Sequence, residues 1–221
     1  LIALTSRHPP TVDPGATVVP ISLFGAGRVA IAGLQANESV VVSEGSPISL
    51  PSGGRILMTA RDVDVGSAIT APSGAITIAA RTSFAQGVPT SSVRVREGVA
   101  LDVAGLWIND VLDARDRRAL SPLYTIGGAV RVTSQPGSIV FGRQSSIDVS
   151  GGAHLRADGS LRAAEAGGVT VGVTSLDQDA PATLDLRASL SGVAISDGGS
   201  LSITASAVCI SAGACSTVGL D

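Results

Sequence analysis

The chain has 221 residues, of which 44% are hydrophobic, 15% charged and 2% aromatic, and it carries a formal net charge of −3. All 15 basic residues are Arg with no concentrated basic face, which excludes a nucleic-acid partner, and the apolar runs break within about ten residues, short of the roughly 20 that span a bilayer. The 27 Gly and 11 Pro are spread along the chain, so turns recur throughout and a helical protein is excluded in favour of many short strands.

In chain order, residues 1–15 read as a linker or irregular lead-in, with His8-Pro9-Pro10 and Asp13-Pro14-Gly15 as turn or extended signals. From Ala16 to Leu50 there is room for one or two short strand groups. After that an internal repeat emerges. A Gly followed by alternating apolar residues returns at Gly54, Gly74, Gly128, Gly168 and Gly199. Each such unit reads as one strand entered through a turn.

Within the unit at Gly128 the plan is clearest. Gly128–Ser134, Gly137–Phe141 and Ser146–Gly151 are three short strands separated by turns of a few residues. The motif Val99-Ala-Leu-Asp-Val-Ala-Gly105 echoes Ser146-Ile-Asp-Val-Ser-Gly151 one unit earlier. Period-two alternation turns Ile147 and Val149 inward and Asp148 outward. Three strands per repeat, with a Gly at one fixed corner, predict an all-β, right-handed parallel β-helix (solenoid) of about five to six rungs, forming a single domain over residues 16–221. An antiparallel β-sandwich is the competing architecture, but hairpin dipeptides are nearly missing: Asp158-Gly159 and Asp197-Gly198 are the exceptions.

The pattern breaks near residues 107–125, which hold the single Trp, the single Tyr and the densest charge. Ile108, Val111, Leu112 and Ala119 fall near one helical face, with Asn109 or Asp110 as cap, so a short helical or irregular insertion is expected there. Trp107, Asn109, Asp110 and Tyr124 are its candidate contact patch; the bland alternative is that Trp107 pins the insertion onto the coil. Near the end, Cys209 and Cys215 either close a short disulfide loop around Gly213 in an oxidising compartment or stay as two buried, unpaired thiols.

The run Leu101-Asp-Val-Ala-Gly-Leu-Trp-Ile-Asn-Asp110, with Gly127-Gly-Ala-Val, Gly137-Ser-Ile-Val and Ser146-Ile-Asp-Val-Ser-Gly-Gly152, resembles the repeat region of filamentous haemagglutinin-like exoproteins. The resemblance implies an interior or distal segment of a large secreted protein on the bacterial cell surface. It also implies export by an outer-membrane secretion pore (two-partner secretion), and a structural or adhesive role as adhesin, biofilm component or stalk. The implied partners are host or bacterial surface glycans or proteins. The family's secretion-domain motif of the Asn-Pro-Asn-Gly type is absent from the sequence.

Parallel β-helices also serve as polysaccharide lyases and glycoside hydrolases, which makes a carbohydrate-active enzyme the alternative. Such chemistry needs clustered carboxylates, a basic residue and aromatic platforms. Asp62 and Asp64, two apart on one strand face, are the best candidate pair, and an outward-facing, solvated pair is the bland reading. His8 and His154 have no Cys or second His at ligand spacing, so no metal site, catalytic residue or cofactor is assigned. The expectation is a protein that is not an enzyme.

Overall fold

A computed structural model of the chain describes residues 2–5, 17–20, 27–32, 39–82, 90–111, 123–174 and 182–205. Every regular element among them is a strand. Three strands recur in each turn of the chain and stack into three parallel sheets.

The first strands of successive turns are β3 (Arg28–Ala32), β6 (Arg55–Ala60), β9 (Ala75–Arg81), β13 (Ala129–Gln135), β18 (Gly168–Val173) and β21 (Ser200–Thr204), which form a six-stranded sheet in that order. The second strands are β4 (Ser39–Val42), β7 (Asp62–Val65), β10 (Ser91–Val95), β14 (Gly137–Phe141) and β19 (Leu184–Leu186). They form a seven-stranded sheet together with β1 (Ile2–Thr5) and β2 (Thr17–Pro20). The third strands are β5 (Ile48–Ser49), β8 (Ile69–Thr70), β11 (Ala100–Asp102), β15 (Ser146–Asp148) and β20 (Ser189–Ser191). Among the described residues this makes a parallel β-helix of five full turns and the opening strand of a sixth, with β1 and β2 extending the seven-stranded sheet.

The register explains how so few aromatics suffice. Ile56, Ile76, Val130, Val169 and Leu201 stack in one column, and Ile48, Ile69, Leu101, Ile147 and Leu190 in another. A third column runs Val40, Val63, Val93, Ile139, Leu184. Like aliphatic side chains one rung apart, about 4.8 Å, fill the interior without large rings. Phe141 is the one aromatic among the largest fully buried side chains. Alternation holds as expected: Ile147 and Val149 are buried while Asp148 is partly exposed. Outward positions of the six-stranded sheet carry Thr77, Arg131, Thr170 and Ser202 in line, so hydroxyls as well as charges face water.

The fixed-corner glycine has a stacking cause. Gly27, Gly54, Gly74, Gly128, Gly167 and Gly199 immediately precede the first strands, and the carbonyls of the first five accept from the next rung. Arg55 N donates to Gly27 O (2.8 Å), Ala75 N to Gly54 O (2.9 Å), Ala129 N to Gly74 O (2.9 Å), Gly168 N to Gly128 O (3.2 Å) and Ser200 N to Gly167 O (3.0 Å). A Cβ on Gly74, Gly128 or Gly167 would collide with the carbonyl oxygen of the glycine below. Because Ala129 pairs with Gly168, the corner residue of the fifth turn is Gly167, one before the Gly168 that marks the repeat in the sequence.

The Leu-Asp-Val-Ala-Gly echo also has a local cause. Asp102 Oδ1 accepts from Ala104 N and Asp148 Oδ1 from Ser150 N, both at 2.9 Å, so each Asp closes the turn behind its own strand. Ile2–Thr5, within the segment read as a lead-in, is a strand paired with β4, and β2 lies outside it.

Candidate functional site

After β11 the chain does not turn directly into the next glycine corner. Trp107–Asn109 forms a strand, β12, parallel to β16 (Ala153–Leu155), which in turn pairs antiparallel with β17 (Leu161–Ala163). This three-stranded side sheet stands where a helical start was expected, and residues 112–122 lie outside the described residues. The physical reason is that β16 offers β12 a ready hydrogen-bonding edge, so the Trp107–Asn109 backbone is satisfied without a helix. Asn109, expected as a helix cap, instead accepts from Val111 N through Oδ1 at 3.0 Å, a turn after a strand.

The β16–β17 hairpin is built by the Asp158-Gly159 dipeptide. Gly159 N donates to Arg156 O and Arg156 N to Ser160 O, both at 2.9 Å, and Gly159 sits at φ +82°. That is a three-residue loop with the left-handed residue such loops require. Asp158 Oδ1 accepts from Ser160 N at 2.9 Å, and its hydrogen bonds with Ser160 hold the carboxyl below the usual carboxylate range.

Of the candidate contact residues, Trp107 is 67% exposed, so it does not pin the insertion. Tyr124 takes that part: it is half-buried, its ring covers Gly53, and its carbonyl accepts from Leu106 N at 2.7 Å. Asp110 is drawn to the side sheet, where its Oδ2 lies 2.6 Å from His154 Nε2. The partners stand 44 positions apart in the chain, so no local spacing links His154 to Asp110. Val111, Leu123 and Ile126, which flank residues 112–122 in the chain, and Leu161 on β17 are exposed apolar side chains.

Asp62 and Asp64 face outward on β7, and both are occupied. Arg61 pairs with Asp62, which also accepts from Ser92 Oγ at 2.6 Å. Arg96 grips Asp64 with Nη2 at 2.6 Å and Nε at 3.0 Å. The hydrogen bond and charge of Asp64 raise the Arg96 pKa further above its ordinary value. A shallow open groove of about 600 Å³ follows the glycine corner, lined by Arg55, Ser73, Tyr124, Ile126 and glycine backbone, with no carboxylate in its lining. Among the described residues no three His, Cys, Asp or Glu side chains gather as a metal site, and no helix is long and apolar enough to cross a membrane. Cys209 and Cys215 lie outside the described residues.

Fold and surface together define the class: a parallel β-solenoid with a lateral side sheet. No family model, no curated protein and no solved structure matches the chain.

Proposed function

We propose that this chain is a structural and adhesive segment of a large secreted fibre on a bacterial cell surface, exported through an outer-membrane pore, with surface glycans or proteins as partners. The observation that carries the adhesive part is Trp107. The single Trp stands at 67% exposure on a side sheet, on the face that the register also gives to Asn109 and the exposed Leu161. An exposed indole next to an amide side chain is suited to stacking on a sugar ring or an apolar residue of a partner. The shaft role draws on the five in-register turns of the described residues.

The test is binding of the purified chain to arrays of bacterial and host surface glycans and to whole cells, with Trp107→Ala as the comparison. Binding that the substitution abolishes without lowering the melting temperature supports adhesion through the side sheet. Binding that survives the substitution, or no binding to any surface, overturns it.

A further inference from the structure

The three sheets of the coil differ in charge. The strands of the six-stranded sheet carry Arg28, Arg55, Arg81 and Arg131 and no Asp or Glu. Those of the seven-stranded sheet carry Asp62, Asp64 and Asp185 against Arg94, and the third-strand sheet carries Asp102 and Asp148 with no Arg. All four Arg of the six-stranded sheet are exposed. None of them forms an ion pair among the described residues.

The glycine-corner groove runs along this cationic face. Arg55, Ala75, Ala129 and Gly168 line it and follow one another in register on four successive rungs. Its floor is therefore about 14 Å long at the rung spacing, with Arg55 at one end. Tyr124 and Ile126 edge it on the corner side. On the other side the next outward column places Thr77, Arg131 and Thr170. Arg55 and Arg131 are two rungs and two residues apart, about 12 Å between Cα atoms.

We propose that this groove binds a carboxylate-bearing sugar chain laid along the coil, with Arg55 and Arg131 each taking a carboxylate. A guanidinium fork matches a carboxylate, Tyr124 and Ile126 offer a surface to the apolar face of a sugar ring, and Thr77 and Thr170 offer hydroxyls. An acidic peptide strand finds no place, because β6, β9 and β13 are paired on both sides and leave no edge to extend. Duplex nucleic acid, with a charge every 1.7 Å or so, outnumbers cations so widely spaced. The proposal rests on the reading that glycans are partners, but at a face other than that of Trp107.

The test is calorimetric titration of the folded chain with oligogalacturonate, with a neutral oligosaccharide of equal length and with polyglutamate. Oligogalacturonate binds, more weakly as salt is added, and the other two bind at least about tenfold more weakly. Arg55→Gln and Arg131→Gln each weaken binding about tenfold, and Ala129→Phe, which fills the floor from an exposed position, abolishes it. Arg94→Gln on the seven-stranded sheet and Trp107→Ala leave it within about twofold. No binding of oligogalacturonate, equal binding of polyglutamate, or a loss with Arg94→Gln as large as with Arg55→Gln overturns the proposal. Loss with Trp107→Ala but not with Arg55→Gln overturns it while leaving the side-sheet reading standing. Surface binding through Trp107, measured in the Arg55→Gln chain, tests the side sheet alone, so either reading can fail without the other.

Discussion

Replacing Gly128 with Ala tests the glycine corner, because the added carbon has nowhere to go. Its Cβ would run into the Gly74 carbonyl oxygen and would stand 2.8 Å from Val103 Cβ and 2.9 Å from Gly74 N. Ordinary contact needs about 3.5 Å. These neighbours are backbone or the first side-chain atom, so no rotamer change relieves the overlap and the rungs must separate. Separation weakens the Ala129 N to Gly74 O hydrogen bond, now 2.9 Å, worth about 1 kcal/mol. Overpacking of this kind adds about 1–3 kcal/mol, for a total of about 2–4 kcal/mol. Gly98→Ala is the control. Gly98 also sits at a turn, at φ +71°, but has open space around the missing Cβ, so its cost is the left-handed penalty alone, about 1–2 kcal/mol. Urea unfolding followed by circular dichroism measures both variants against the parent. If Gly128→Ala shifts the midpoint no more than Gly98→Ala, close stacking is not why glycine occupies the corner.

Three other outcomes follow from the same structure. Ile147→Asp puts an unpaired carboxylate at a position that is 1% exposed and should cost several kcal/mol, whereas Asp148→Ser loses one turn-closing bond and should cost about 1 kcal/mol; denaturant unfolding separates the two. Tyr124→Ala should destabilise more than Trp107→Ala, the reverse of their usual order by size, because Tyr124 covers Gly53 while Trp107 is exposed; thermal melts of the two variants show the order. The Asp158 carboxyl is held below its ordinary value by Ser160, so its contribution to the hairpin is fully present above the unfolded carboxylate range near about 3.9 and is lost as pH falls through the lower folded value. The Ser160 amide resonance should therefore hold its position down to pH of about 4 and move only below it; movement centred above that range would contradict the Asp158–Ser160 bond.

The coil was legible because a solenoid writes each structural constraint once per turn. The inward columns, the corner glycine and the Asp of Leu101-Asp-Val and Ile147-Asp-Val all recur at matched offsets, and the structure gives each a cause. What was misjudged occurs once. Trp107–Asn109 pairs with the edge of β16, some 45 residues away, which no local pattern reports, while residues 112–122 of the expected helical or irregular insertion lie outside the described residues. The His154–Asp110 pair is long-range for the same reason. The hairpin dipeptide Asp158-Gly159 was visible, yet it counted as an exception to the parallel plan when it in fact marked the side sheet. At Gly167-Gly168 two adjacent glycines left the corner ambiguous by one residue, and only the pairing with Ala129 resolved it.

The central claim is the parallel, in-register stack, and one distance tests it most directly. Leu57, Thr77, Arg131, Thr170 and Ser202 follow one another in register across the six-stranded sheet, so Leu57 and Ser202 stand four rungs apart, about 19 Å at the rung spacing. Spin labels at these two outward positions, read by pulsed electron paramagnetic resonance, should give a single narrow distribution centred near that distance, within the reach of the labels. A distribution centred well away from it, or a broad one, would contradict the coil.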